Sequence, residues 1–500
     1  MTVVNTNVAA LAAQSSMMKN TKEMEDAMAK LSSGLRINTA SDDAAGLSIA
    51  DRLDSQVRGL SQAIRNAEDG QNLINTIEGA SGEAVAILQR LRELAVQSAT
   101  ATNSGIDRGF INKEAQQLIG EMDRIASNTE WNGMTVLDGS FVNKKIQTGA
   151  NASQDIVLGI NDMKSTAIGN HVIRGTAANS TAATEAASNG LTGGDVVIAG
   201  FAGSKTITTV ANDSAKEFRD DVNNVSDITG VTAVSASHAL IKTLSAAGTI
   251  TLNIGKNGSV GTGTLSAVTV NATIANNSDL TALRDAINNE SGSTGVTASF
   301  YEGKINEILL TDADGDDIVL GDFTHTTASS TITAQAMDFY GVSTSAASAI
   351  TLTDGGADST TIRGMVILSS SESFGTTEHI TADFFGATTE ASSSLEKLGD
   401  IDLGSESNSK KAIATIDAAI DMVNNQRSKL GAISNRLDNV VNNLTNVVEN
   451  TQESQSHIRD ANFAQETSKL TKAQILNQAA TSMLAQANAS KQTVLALLQN

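Results

Sequence analysis

Toward the carboxyl end, apolar residues fall on alternating steps of three and four: Ile416, Ile420, Val423, Leu430, Leu437, Val441, Leu444, Val448 and Ile458, with breaks at Arg427 and Ser434. Such steps keep one stripe of a helix turned toward a partner, so the spacing predicts a coiled-coil seam. A matching seam runs near the start through Leu53, Val57, Leu60, Ile64, Ala67, Ile74, Ala84, Leu88, Leu91 and Ala95, and Met24, Met28, Leu31 and Leu35 carry the rhythm earlier. The sequence contains no proline, the residue that most sharply breaks a helix interior.

The outermost helices are predicted to be weaker than the inner ones. Their seam reads Leu470, Ala473, Asn477, Ala480, Leu484, Ala487, Lys491, Val494 and Leu498, of which about half are small or polar. Only seven large apolar residues lie between Leu11 and Leu35, and ordering that stretch costs roughly 1.5 kcal/mol per residue. Residues 1–40 and 460–500 are therefore expected to hold little structure in a single chain. Alanine-rich faces permit close helix approach, so neighbouring copies would supply the missing burial.

Between these ends the pattern changes. Residues 141–400 carry 13 basic and 28 acidic groups and 27 of the 40 glycines, whereas the last hundred residues hold two glycines. Strands and turns are expected there rather than long helices. Phe218-Arg219-Asp220-Asp221-Val222-Asn223-Asn224 parallels Leu283-Arg284-Asp285-Ala286-Ile287-Asn288-Asn289, and Thr229-Gly230-Val231-Thr232-Ala233 parallels Thr294-Gly295-Val296-Thr297-Ala298, both 65 residues apart. One offset across two separated blocks implies two copies of a small module, each a strand, a short helix and a further strand, over about 196–245 and 250–323. Ser214 and Glu217 have capping-box spacing, and Thr249–Ile254 and Ile318–Leu320 read as further strands.

At 500 residues the chain exceeds a single core. It has no cysteine, which excludes disulfides and thiolate metal sites, and its net charge of -21 disfavours nucleic acid and anionic membrane as partners. No run of about 18 apolar residues predicts a membrane span. No basic residue precedes Lys19 and no long apolar run follows, so no cleaved secretory signal is expected.

Several blocks resemble bacterial flagellin, the subunit of the flagellar filament. They are Leu31-Ser-Ser-Gly-Leu-Arg-Ile-Asn38, Asp42-Asp-Ala-Ala-Gly-Leu-Ser-Ile-Ala50, Gln71-Asn-Leu-Ile74, Leu91-Arg-Glu-Leu-Ala-Val-Gln97, Ala479-Ala-Thr-Ser-Met-Leu-Ala-Gln-Ala-Asn488 and Val494-Leu-Ala-Leu-Leu498. The resemblance covers about residues 1–165 and 400–500, and the central modules are similar to a motif of flagellins and hook-associated proteins. It implies a multidomain α plus β protein: a long helical coiled-coil core from the paired N- and C-terminal segments, with a β-rich variable outer insert. Residues 1–40 and 460–500 would form inner-core helices, 41–168 and 401–459 a coiled-coil domain with a β-hairpin, and 169–400 the surface-exposed insert. Asn128-Thr-Glu-Trp-Asn-Gly133 is similar to the family's approach to that hairpin, and Asn132-Gly133 is independently a turn signal. Flagellins of the familiar enteric type often carry a proline just before the final helix, where this chain has Lys491.

The resemblance also implies partners. They are further copies of the chain in a helical polymer, hook-filament junction proteins, the filament cap, an export chaperone acting through the C-terminal region, and Toll-like receptor 5 in hosts. Export would follow the flagellar type III route to the extracellular filament. Gln89, Arg90, Leu94, Gln97 and Glu114 stand where many flagellins contact that receptor, and Arg90 and Leu94, four apart, would share a helix face. Leu31, Leu35, Leu88, Leu91, Leu437, Val441, Leu444, Leu484 and Leu498 are the self-assembly and coiled-coil candidates.

No catalytic, cofactor-binding or metal site is expected. Some flagellins resemble metalloproteases in the insert, but this sequence contains no His-Glu-x-x-His, and His171, His238, His325, His379 and His457 are scattered. Asp312, Asp314, Asp316 and Asp317 resemble a calcium loop, yet glycine stands at Gly315 rather than at the sixth position and Phe323 replaces the twelfth-position glutamate. A solvated acidic turn is the preferred reading. The glycines from Gly255 to Gly263 lack a P-loop Lys-Ser/Thr ending and read as turns. Two other classes stay open: a hook-filament junction protein, and an adhesin or enzyme carried in the insert.

Overall fold

The computed structural model describes residues 6–176, 178–184, 188–257, 266–343, 349–378, 384–385 and 390–498. Its helices are α1 (Val8–Ser33), α2 (Ala44–Ser98), α3 (Gly105–Asn128), α4 (Ala215–Asn224), α5 (Ser226–Thr229), α6 (Thr281–Asn289), α7 (Ser291–Thr294), α8 (Glu406–Arg459) and α9 (Phe463–Leu498). The chain divides into two compact units: Met1–Thr76 with Asn143–Gly159 and Leu430–Asn500, and Ile77–Val142 with Ile160–Lys429. These divisions fall within α2 and α8, so they do not follow the breaks at residues 40 and 168 that the sequence suggests.

In the first unit, Asn7 caps α1 by accepting the Ala10 N–H, and Gly34 ends it at a φ of 73°, the left-handed conformation that glycine adopts without strain. α1 and α9 lie antiparallel. Asn7 Nδ2 donates to the Ala487 carbonyl oxygen at 3.2 Å and Asn477 Nδ2 to Thr21 Oγ1 at 3.1 Å, so contacts retreat along α9 as α1 advances. The facing parts of α2 and α8 are also antiparallel, through Gln455 Nε2 to the Ala50 carbonyl oxygen and Gln71 Nε2 to Asp438 Oδ1. Their seam buries Val57, Leu60, Ala67, Ile74 and Leu437. A hairpin of Lys144–Gln147 with Asp155–Leu158 packs beside them. There Gly70 allows close approach: a Cβ on it would lie 2.7 Å from Ile146 Cδ1 and 3.3 Å from Leu437 Cδ1, so both side-chain ends would have to shift.

The helical part of the second unit joins α3 to its portions of α2 and α8. A capping box between Ser104 and Asp107 starts α3. Ile77, Leu88, Leu91, Ile111, Ile119, Met122, Ile416 and Val423 fill the space between the helices. The seam break at Arg427 has a cause in this packing: its guanidinium reaches Glu78 at 2.5 Å. Glu130–Trp131 and Met134–Thr135 then form a hairpin, with Asn132 and Gly133 at φ of 50° and 74°. Positive φ at both central residues matches strand twist and suits Asn-Gly.

The insert is β-rich. One sheet orders Ser266–Ile274, Gly248–Asn257, Asp317–His325, Thr360–Arg363 and Ala178–Asn179. A larger one orders Thr297–Tyr301, Lys304–Asp312, Thr232–Lys242, Met365–Ser370, Gly169–Arg174 and Ser394–Lys397, with Thr331–Ala336 also pairing Thr232–Lys242. A third orders Glu390–Ser392, Gly375–Glu378, Gly194–Ala199 and Ser204–Thr209. Two apolar clusters underlie them, one around Phe218, Val366 and Leu368 and one around Leu283, Ile308 and Phe323.

The two sequence blocks 65 residues apart adopt matching geometry. α4 buries Phe218 and Val222, and α6 buries Leu283 and Ile287 at the equivalent positions. Asn223 Nδ2 donates to the Ala233 carbonyl oxygen while its Oδ1 accepts the Ala233 N–H; Asn288 makes the same pair of bonds with Ala298. Gly230 and Gly295 close the segments at φ of 71° and 70°.

Candidate functional site

The long helices differ along their faces in what they bury and what they leave open. Leu88, Leu91 and Leu437 are fully buried within their units, whereas Leu31, Leu35, Val441, Leu444 and Leu484 are only half-buried. The Leu498 side chain, like that of Val494, lies outside the described residues. In α1 and α9 the fully buried apolar residues among those described are Ala27, Ala473 and Ala480. Leu11 (56%), Met18, Ile475 and Met483 (64%) instead face outward. The pairing of α1 with α9 therefore leaves large apolar side chains in water on both helices, at about 25 cal/mol for each Å² that a partner could cover.

Gln89, Arg90, Gln97 and Glu114 are exposed. Arg90 joins α2 to α3 by donating to Glu114 Oε1 at 2.8 Å and also reaches Glu93 at 2.8 Å, and both carboxylates raise its guanidinium pKa. Leu94 differs from the expectation of a shared surface with Arg90, because it is 1% exposed. Four-residue spacing places the two on neighbouring positions, but α2 here has partners in α3 and α8, and the leucine turns into the core they form. Ile106 and Phe110 lie outside the seam pattern, and both stand exposed on α3, with Lys113 Nζ 5.7 Å from the Phe110 ring centroid. Their four-residue spacing on the face opposite Ile111 and Ala115 was the available signal.

The described histidines form no cluster. His238 Nδ1 lies 3.1 Å from Thr311 Oγ1 and burial lowers its pKa; His325 Nδ1 accepts the Thr327 N–H; His457 is exposed beside Glu453. His379, and the glycines from Gly258 to Gly263, lie outside the described residues.

The acidic turn is solvated only in part: Asp314 is exposed, as expected, and Asp316 is half-buried. Asp312 and Asp317 are fully buried. Lys256 Nζ lies 2.6 Å from Asp312 Oδ2 and 3.1 Å from Asp316 Oδ2, and Lys216 Nζ lies 3.1 Å from the same Asp316 oxygen. The positive charge that these converging carboxylates require comes from the chain's own lysines. Sequence distance hid both partners, which are 56 and 100 positions away from the residues they meet.

Comparison with known proteins places the sequence among relatives. Residues 4–142 match the bacterial flagellin N-terminal helical region, residues 413–498 the bacterial flagellin C-terminal helical region, and residues 249–314 the flagellin hook IN motif. The B-type flagellin of Pseudomonas aeruginosa is 34% identical over 501 residues, and the flagellin of Salmonella rubislaw 33% over 517, each alignment covering 99% of both chains. Among solved structures, FliC from Burkholderia pseudomallei aligns with 73% of this chain and 99% of that one at 18% identity, with a TM-score of 0.29.

Proposed function

The chain belongs to the bacterial flagellin family, and on that footing we propose that it polymerises through its helical ends into the shaft of a flagellar filament. The observation that carries this reading is the pairing of α1 with α9, which buries alanines and leaves Leu11, Met18, Ile475 and Met483 open to further copies. Residues 1–40 and 460–500 form the inner core of the polymer, 41–168 and 401–459 the layer around it, and 169–400 the outward face. Surplus acid in the outward face keeps filaments apart by charge repulsion.

Its work is mechanical: rotation is supplied by a motor elsewhere, and small changes of subunit packing along the coiled-coil seam set the filament's curvature. The subunit leaves the cell through the flagellum's own type III channel, escorted by a chaperone on its C-terminal region, and meets junction proteins and a cap at the ends of the polymer. Electron microscopy of the purified chain under polymerising conditions is the test. Fibres reaching micrometre length support the reading, while short rings or caps would favour a junction protein.

Recognition by Toll-like receptor 5 is a second reading, favoured by the exposed Arg90 with Glu114, Gln89 and Gln97 beside it. Arg90→Ala should weaken receptor binding by the monomer without altering its circular dichroism. Unchanged binding would remove these residues from the contact.

A further inference from the structure

Asn189 connects three parts of the insert that are far apart in sequence. Its Nδ2 donates to the Asp213 carbonyl oxygen at 2.9 Å and to Asp317 Oδ2 at 2.6 Å, while its Oδ1 accepts the Leu191 N–H at 3.0 Å. Asp213 immediately precedes Ser214, the cap of α4, and Asp317 opens the strand Asp317–His325. Asn189 is 2% exposed and Asp317 is 0% exposed. The node therefore ties the loop before Gly194–Ala199, the start of α4 and the beginning of a strand in a different sheet, and it is buried.

One side of this node is poorly supplied. Asp317 Oδ1 is buried and makes no hydrogen bond within normal geometry, so the carboxylate form would rest on the Asn189 amide, with weaker help from the Gly364 N–H and the Arg363 charge. The groups facing it are the Asn189 amide, the Gly364 N–H, the Arg363 guanidinium and the Asp316 carboxylate, the last already held by Lys216 and Lys256. The nearby Asp213 carboxyl is turned to the Val210 N–H. Desolvation outweighs the favourable contributions of Asn189, Gly364 and Arg363 and pushes the Asp317 pKa from 3.8 up to about 7.

We infer that the Asn189–Asp317 node is a proton-operated latch in the insert, closed when Asp317 carries its proton and loosened when it gives that proton up. The sign follows from linkage. In the opened state the carboxyl has its ordinary affinity for a proton and ionises first as pH rises. The closed state keeps its proton longer and so loses ground from pH about 4 up to about 7, above which the loss levels off.

Native-state hydrogen exchange on the full-length monomer tests this, following backbone amides of residues 189–193 and 317–325 from pH 5.5 to 8 with the intrinsic pH dependence removed. Protection in the natural chain should fall roughly tenfold or more over that range. It should stay level in Asp317→Asn. In Asn189→Ala, which removes a donor that favours the charged form, the levelling-off should move to higher pH. Level protection in the natural chain would overturn the latch whether or not either variant folds. A fall retained in Asp317→Asn, or an unmoved profile in Asn189→Ala, would assign the effect to another group such as His238 and overturn it too.

Discussion

Arg36 donates its backbone N–H to the Arg459 carbonyl oxygen at 2.6 Å, 423 positions away in sequence. The bond sits where both ends of the chain leave one helix for the next, between α1 and α2 on one side and α8 and α9 on the other. Ala461 N–H returns to the Gly34 carbonyl oxygen at 2.9 Å, Leu35 bridges Asp460, and the Arg36 guanidinium donates to the Ile458 carbonyl oxygen at 2.6 Å. Backbone groups freed at two helix ends thus satisfy each other. The junction fixes which residues of α1 meet which of α9, although their side chains bury little.

Gly34 makes that junction possible. Gly34→Ala would place a side chain in the left-handed region at a cost of about 1–2 kcal/mol. The expected result is a lower thermal depolymerisation midpoint for filaments, with the unfolding of the insert unchanged, as calorimetry can separate the two transitions.

Leu437 is buried against the Gly70 contact. Leu437→Ala should destabilise the monomer by about 2–5 kcal/mol, read by urea unfolding followed through helical circular dichroism. The same substitution, or one at the half-buried Val441, should change filament curvature in electron micrographs; filaments of natural shape and stability would argue against a seam that sets the waveform.

The paired side-chain clamps of the insert give a matched comparison. Asn223→Ala and Asn288→Ala each remove two hydrogen bonds worth about 1 kcal/mol net apiece, and each leaves groups of an alanine unpaired. Both should lower stability by about 2–3 kcal/mol in the thermal unfolding of the β-rich insert. Effects that differ several-fold would show that the matching geometry does not carry matching energy.

Asp138 supports the hairpin by accepting from the Ser140 hydroxyl and N–H and from the Thr135 hydroxyl, which together lower its pKa to about 2. A depressed carboxyl stabilises the fold above its ordinary value of 3.8 and loses that contribution as pH falls through about 2. Trp131 is the sole tryptophan and lies in that hairpin, so its fluorescence should shift between pH 4 and 2. The step should be absent from Asp138→Asn.

Much of this architecture is legible in the sequence because the physics repeats along it. Leu88, Leu91 and Leu437 are buried where a step of three or four places them, and Asn132-Gly133 forms the turn its conformational freedom favours. The 65-residue offset likewise marks Asn223 and Asn288 as equivalent. Their clamping role emerges only in space, since the alanines they hold lie on a following strand. Leu94 shows the limit of periodicity: spacing gives its helix face but not how many partners that helix has. Lys256 and Asn189 show another limit, because a charge run such as Asp312–Asp317 reads as solvated until the residues folded against it are known.

In the proposed polymer the chain's two helical ends should become firmly structured only among copies of themselves. Hydrogen exchange on monomer and filament, compared at the amides of residues 6–40 and 460–498, tests it most directly. Rapid exchange in the monomer with strong protection in the filament is the expected result, and strong protection in both states would contradict the account.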